Sequence, residues 1–196
     1  MGRIKSALEL VLERTESIKT DKASIGLFEA KQEGKRIANA FVADPSKSLE
    51  GELKKHPKDQ QQSLKQGIFD VLAPQINLPA GKDDLVRIEA VCMGLNLLIK
   101  DGHFSTMLKQ FMQLLSHYLG EVAQFEQAIR QQYAPKLRQK EEELSRRLGQ
   151  EVRLDPFQDP EFVMFYNQNI NALKANYQAH VDQVSEEAAS LWGEQS

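Results

Sequence analysis

The spacing of apolar residues in the C-terminal half is the most informative pattern in the chain. In two successive segments the apolar residues alternate at steps of three and four, which places a narrow apolar seam on each of two long helices. In the first segment the seam residues are Leu108, Phe111, Leu115, Tyr118, Val122, Phe125 and Ile129. In the second they are Val163, Tyr166, Ile170, Leu173, Tyr177, Val184 and Leu191, with His180 and Glu187 in the two gaps. Two such helices are expected to pair as an antiparallel, coiled-coil-like hairpin.

A proline interrupts the first of these two helices. Because proline removes a backbone hydrogen bond and crowds the preceding turn, we expect a kink near Pro135. The apolar spacing also slips there, since Ile129, Tyr133 and Leu137 follow one another at steps of four. This slip is typical of a stutter in a heptad pattern.

The turn between the two helices is predicted by helix-ending and helix-starting residues. Arg146 and Arg147 followed by Gly149 indicate the end of the first helix. The sequence Asp159-Pro160-Glu161 provides an N-cap, a proline at the first helical position and an acidic residue in the first turn. From the two helix lengths, the second helix is expected to reach back to about the level of Tyr118.

Shorter amphipathic helices are predicted in the N-terminal half, and no strand is. The expected helices are Ile4 to about Ile18, about Leu27 to Val42, a short one near Ser48 to Lys55, one capped by Asp59 and ending near Ala73, and one capped by Asp83 or Asp84 and ending before Asp101-Gly102. Ser105 is expected to start the long helix. The fold class is therefore all-α. We expect a helical body at residues 1–104 and the hairpin at residues 105–196, packed on the body or projecting from it, in one structural unit.

Composition narrows the class of protein. The net charge of -3 argues against a dedicated nucleic-acid binder. A single cysteine favours a reducing compartment. The charged N-terminus does not resemble a signal peptide, and no apolar run approaches the ~18 residues that span a bilayer. We therefore expect a cytoplasmic protein that is not associated with a membrane.

The residues that usually carry chemistry form no recognisable constellation. The four histidines are scattered, without the spacing of a metal site. Cys92 lies on the apolar face of a helix and is interpreted as an unreactive core residue. We therefore expect no enzyme activity, no metal and no cofactor.

The charged block between Arg130 and Arg153 is the best candidate for a binding surface. Seven cations against four acidic residues give it +3, whereas residues 155–196 carry seven acidic residues and one lysine, or -6. The block is interpreted either as a solvated helix face supported by ion pairs or as a tip that binds phosphate or a protein partner. The aromatic residues of the turn either anchor a partner or plug the end of the helix pair. The candidate tip residues are Arg138, Lys140, Arg146, Arg147, Arg153, Phe157 and Phe162.

The opening sequence resembles a known group of proteins. Residues 4–15, I-K-S-A-L-E-L-V-L-E-R-T, are similar to the start of a family of uncharacterised bacterial proteins. Residues 133–137 and 159–162 are similar to later parts of the same family. The resemblance implies a small, soluble, largely helical protein, and it implies no activity, cofactor or catalytic residue.

These patterns favour a non-enzymatic interaction or assembly protein that acts through its hairpin. Its protein partner is not specified by the sequence. A homodimer is one interpretation, because a seam interrupted by His180 and Glu187 could be completed by a second chain. The alternatives are a nucleic-acid- or ribosome-associated factor that uses residues 130–153, and a helical ligand-binding bundle or enzyme.

Overall fold

The computed structural model describes the backbone of residues 7–195 and the side chains of residues 24–194. The predicted all-α class is confirmed, since about 84% of the chain is helical and the described residues contain no strand. The helices are α1 (Ala7–Ala43), α2 (Leu49–Lys54), α3 (Gln61–Leu72), α4 (Lys82–Ile99), α5 (Gly102–Leu148) and α6 (Pro160–Gln195), with 3-10 turns at Ala73–Gln75 and Pro156–Gln158.

The two helices predicted before residue 43 are one continuous helix, so the predicted break between them is wrong. Gly26 lies inside α1 without ending it. A single glycine in a helix costs only about 1 kcal/mol relative to alanine, which packing of the same helix can offset. Ile37, Ala38 and Phe41 are buried, as predicted. The apolar face predicted for residues 4–18 falls on side chains outside the described residues.

Three helix starts differ from the prediction. Gln60, not Asp59, precedes α3, and it forms no side-chain cap. Gly81 precedes α4, so Asp83 and Asp84 are first-turn residues rather than caps. Asp101 caps α5 through a 2.7 Å hydrogen bond from the Phe104 N–H to its carboxylate, so the helix begins before Ser105. Several polar residues lie next to each of these boundaries, so the sequence does not single out one cap.

The main core joins the N-terminal helices to the base of the hairpin. Trp192 of α6 stacks on Phe69 of α3 with ring centroids 4.7 Å apart, and its indole N–H donates to Gln66 at 2.9 Å. Body and hairpin base thus share one core. Its largest fully buried side chains are Phe104, Leu49, Leu64, Ile68, Leu72, Ile88, Leu95, Ile99, Leu115 and Val91.

α5 and α6 form the predicted hairpin, and α5 is kinked near Pro135. The predicted seam is correct at its centre and wrong towards the C-terminus, because His180 is exposed whereas Val181 is buried. The prediction that Phe125 lies in the seam is also wrong, since 43% of its surface is exposed. From Ile170 the inward-facing residues follow steps of three, four and four: Ile170, Leu173, Tyr177, Val181, Val184, Ala188 and Trp192.

This spacing has a physical reason. Steps of three, four and four repeat after eleven residues, or about 3.67 residues per turn, which is close to the natural period of a straight α-helix. The strict heptad assumed in the prediction has 3.5 residues per turn and drifts around the helix. The drift moved the predicted seam by one residue, to Glu187 and Leu191, where the structure has Ala188 and Trp192 facing inward.

Candidate functional site

The distal end of the hairpin, residues 130–166, is called the hairpin tip below. Its connecting segment does not simply cross from one helix to the other. Gly149 ends α5 in a left-handed conformation with φ 68°, as predicted. The chain then runs back along the last turns of α5, where the Val152 N–H donates to Ser145 Oγ at 2.9 Å and the Leu154 N–H to Glu141 Oε1 at 2.8 Å.

Because the segment runs back, α6 begins near the level of Tyr133 rather than at the end of α5. The predicted reach of α6 to the level of Tyr118 is therefore wrong. Tyr118 is in contact with Tyr177, with ring centroids 5.0 Å apart. α6 continues beyond this level and ends against α3.

A buried carboxylate joins the start of α6 to α5. Asp159 caps α6 by accepting the Glu161 N–H at 3.0 Å, and it also accepts the Tyr133 hydroxyl at 2.8 Å. The Lys140 ammonium lies 2.7 Å from the same carboxylate and also pairs with Glu161. Lys136 forms a further ion pair with Glu161 at 3.1 Å. These contacts thus link α5, the end of the connecting segment and the start of α6.

The charges of this cluster are stabilised by their neighbours. Burial acts to raise the pKa of Asp159, but hydrogen bonds from Lys140 and Tyr133 outweigh it and the pKa is lowered. Hydrogen bonds to Asp159 and Glu161 raise the pKa of Lys140. Lys140 is therefore an ammonium ion that is paired with two carboxylates of its own chain.

The aromatic residues of the turn pack inside the hairpin. Phe162 is fully buried, 5.2 Å from the ring of Tyr133 and 5.3 Å from that of Phe157. Phe157 remains 44% exposed and is covered by the Arg130 guanidinium at 5.1 Å. The packing of Phe162 is that of a plug, whereas Phe157 keeps an exposed face. Phe162 cannot contact a partner without unfolding of the tip.

Two further tyrosines donate hydrogen bonds to carboxylates on the opposite helix. Tyr166 donates to Glu126, and Tyr177 donates to Glu121 at 2.7 Å. His117 Nδ1 lies 3.0 Å from the Tyr177 hydroxyl. Burial and the adjacent carboxylate raise the pKa of each of the two tyrosines to about 12. These polar pairs fix the register of the two helices, because sliding by one turn would leave each phenol and carboxylate without its partner.

The four candidate arginines lie on the surface of the tip. Arg146 pairs with Glu142 at 3.7 Å, Arg147 with Glu143, and Arg153 with Glu151 at 3.3 Å. Arg138 forms no ion pair with any residue that the structure describes. Together with parts of the connecting segment, the surface residues line an open groove of about 700 Å³: Arg138, Glu141, Glu142, Ser145, Arg146, Glu151, Val152 and Arg153.

The structure thus brings together three of the seven predicted tip residues, Arg138, Arg146 and Arg153, in this groove. Ser145 and Glu141 were not predicted to contribute, although they hold the connecting segment. The sequence gives no signal for this role, since Glu141 is one of three consecutive glutamates and Ser145 is an ordinary helix residue. Ser145 and Glu141 accept these hydrogen bonds only because the connecting segment folds back along α5.

The described residues contain no group of three or more histidine, cysteine or acidic side chains that could hold a metal ion. Burial, with a smaller contribution from Glu89, raises the pKa of the Cys92 thiol to about 12. A thiol in this state is a poor nucleophile. No helix among the described residues is long and apolar enough to cross a bilayer.

Comparison with known proteins places the chain in a family. A model of the family of unknown function DUF6657 matches residues 50–190. The chain belongs to this family. The match includes α3, α4, all of α5 and most of α6, and so the complete hairpin tip of this DUF6657 protein. No curated protein and no solved structure matches the chain.

Membership of a family of unknown function agrees with the expectation from the sequence. The matched residues nevertheless do not include residues 4–15, on which that resemblance mainly rests. DUF6657 carries no assigned activity, so the function of this protein is argued from its own residues.

Proposed function

We propose that this DUF6657 protein is a non-enzymatic, cytoplasmic interaction or assembly protein that binds a protein partner through its hairpin tip. The observation that carries the proposal is the separate core of the distal hairpin. Ile129, Tyr133, Phe162 and Ile170 form a second buried cluster made only of α5 and α6 residues. A helix pair that has its own buried cluster at its far end can present its outer surface to another molecule.

The order of the connecting segment supports the same proposal. Ser145 and Glu141 of α5 accept hydrogen bonds from the backbone of the segment. The ion pair between Asp159 and Lys140 holds the end of the segment. A surface that is already ordered loses less conformational entropy on binding than a flexible loop does. The surface carries both positive and negative side chains, which favours a partner with the complementary arrangement of charges.

A nucleic-acid-binding tip has weaker support. Five of the seven cations between residues 130 and 153 are paired with carboxylates of the same chain: Lys136, Lys140, Arg146, Arg147 and Arg153. A phosphate would have to displace these carboxylates. An enzyme also has little support, because the tip groove is open to solvent and catalysis usually needs a pocket that excludes water.

The proposal is tested by reversing charge at the groove in the full-length chain. Arg138→Glu combined with Arg146→Glu changes two exposed residues of the groove. Lys174→Glu is the matched control, since Lys174 is an exposed cation of α6 outside the tip. Wild type, variant and control are immobilised, and the proteins captured from an extract of the source cells are compared by mass spectrometry.

We expect a defined protein to be retained by wild type and by the control but lost from the double variant. Equal capture by all three chains, or no capture by any of them, would overturn the proposal. Circular dichroism and thermal melting check that the double variant is folded. Retention of RNA at about 50 mM salt that falls steeply with added salt would instead favour the nucleic-acid alternative.

A further inference from the structure

Residues 151–155 run back along α5 outside any helix, and Asp155 at their end has an extended backbone with φ -70° and ψ 125°. The exposure and hydrogen bonds of the segment indicate that the rest of it is extended too. Exposure alternates along the segment, with Glu151, Arg153 and Asp155 exposed and Val152 and Leu154 half-buried. The N–H groups of the two half-buried residues bind α5 side chains that are four positions apart. Four helical residues rise about 6 Å and two extended residues about 6.6 Å, so the two spacings match.

The other edge of this segment is open. In an extended chain, the backbone N–H and C=O groups of successive residues point to opposite sides. Since the N–H groups of Val152 and Leu154 point to α5, those of Glu151 and Arg153 point away from it. Neither the N–H nor the C=O group of these two residues has a hydrogen-bond partner among the residues that the structure describes. This short edge is a template for pairing with another extended chain.

The exposed side chains of the segment are self-complementary in charge. Arg153 Nε lies 3.3 Å from Glu151 Oε1, so the two side chains share one face of the segment. In an antiparallel pair of identical segments centred on Val152, Glu151 of each chain is directly opposite Arg153 of the other. Centring the pair on Arg153 would instead place two arginines against each other, which is unfavourable.

We propose that the edge at residues 151–153 pairs with the same edge of a second copy, antiparallel about Val152. Glu151 and Arg153 then form two hydrogen-bonded pairs that exchange four backbone hydrogen bonds across the two-fold axis. The proposal rests on the proposed function of the hairpin tip as a binding surface and names a second copy as its occupant.

The size of the edge limits the strength of this contact. A stable dimer buries about 800 Å² on each partner, and an edge of three to five residues supplies much less. Pairing at the tip is therefore concentration-dependent and is favoured where several chains are held close together, as in an assembly.

Disulfide trapping in the full-length chain tests the pairing. Val152 faces Val152 of the second copy in a non-hydrogen-bonded pair with Cα atoms about 4.5 Å apart, within the range that a disulfide bridges. V152C is therefore expected to form a covalent dimer under mild oxidation. R153C is the matched control. In the proposed pair the two residues 153 are offset along the strands, so their Cα atoms lie more than about 7 Å apart, which is too far for a disulfide. Cys92 is buried, and unmodified wild type carried through the same oxidation measures any dimer that Cys92 contributes.

We expect V152C to dimerise at least about tenfold faster than R153C. Adding Glu151→Arg to V152C should slow the reaction, since two pairs of arginines would then face each other. Adding Glu151→Arg together with Arg153→Glu should restore the rate. Equal rates for V152C and R153C, no rescue by the charge swap, or a disulfide to a different protein would each overturn self-pairing.

The result is separable from that of the proposed function. If V152C fails to dimerise while the groove variant still loses a captured protein, only self-pairing is refuted. If the charge swap controls dimerisation while no other protein is captured, the tip binds its own copy. If both experiments fail, neither proposal stands.

Discussion

Substitution of Gly67 by alanine should loosen the contact between α1 and α3, whose backbones approach each other closely at Gly34 and Gly67. A Cβ atom on Gly67 would lie 2.0 Å from the Lys31 carbonyl oxygen, and one on Gly34 would lie 2.1 Å from the Leu64 carbonyl oxygen. Both obstructions are backbone atoms, which cannot rotate away. The two helices would have to separate by roughly 1 Å or more to restore ordinary contact distances of about 3.5 Å.

The cost follows from the packing that this separation disturbs. Ile37, Ala38, Leu64 and Ile68 are buried in the same core cluster. Overpacking of a well-packed core costs about 1–3 kcal/mol, and the higher helix propensity of alanine offsets at most about 1 kcal/mol in the folded helix. Because backbone atoms force the separation, the overpacking cost of Gly67→Ala should lie near the upper end of this range. The net loss in the free energy of unfolding is then about 2 kcal/mol. For a chain of this size that corresponds to a fall in Tm of about 4–8 °C.

Gly120→Ala is the matched control. Gly120 lies inside α5 and is exposed, and a Cβ atom there would meet nothing within 4 Å. This variant gains helix propensity without a clash, so its Tm should rise by about 2–4 °C. Thermal melts followed by circular dichroism measure both changes. Equal stability of the two variants, or a Gly67→Ala chain more stable than wild type, would refute the close approach of α1 and α3.

Four further outcomes follow from the structure. Asp159→Ala should cost about 1–2 kcal/mol at pH 7 through loss of the α6 cap, measured by urea unfolding. Because the folded pKa of Asp159 lies below 3.8, this difference should persist above pH 3.8 and shrink as the pH falls through the folded value. Tyr177→Phe should be less stable than wild type below about pH 10, and the gap should close as the pH rises towards 12, since the folded pKa of Tyr177 is about 12 against 10.0 in a model phenol. Trp192→Ala should cost about 3 kcal/mol and release the end of α6, which hydrogen exchange detects. The Cys92 thiol should resist alkylation at pH 8 in the folded chain and react fully in urea.

The sequence predicts best those features that local residues determine. Gly149 after two arginines ends α5, and Asp159 before Pro160 starts α6, because a helix end depends on groups within one turn of it. The burial of Ile37, Phe41 and Leu115 also follows from spacing on one helix. Spacing on one helix does not determine whether His180 or Val181 faces inward. That depends on how α6 winds against α5 over several turns.

The candidate site depends even more on contacts between distant residues. Arg138, Arg146 and Arg153 are on the surface as their charge predicts, but Lys140 is a cation of the same kind and is held by Asp159. Phe157 and Phe162 are equally apolar in sequence, yet one is half exposed and the other fully buried. The backward path of residues 150–158 requires Ser145 and Glu141 as hydrogen-bond acceptors, and no local pattern marks either residue for that role.

Site-specific photo-crosslinking in living cells tests binding at the hairpin tip most directly. A benzophenone amino acid replaces Arg138 in the tip groove or, as the control, Lys174 on α6. The proposal predicts one defined crosslinked protein, or a crosslinked second copy, from position 138 and none from position 174, with the product lost when Arg146→Glu is added. Crosslinks from position 174 alone, or the same products from both positions, would contradict a binding function of the tip.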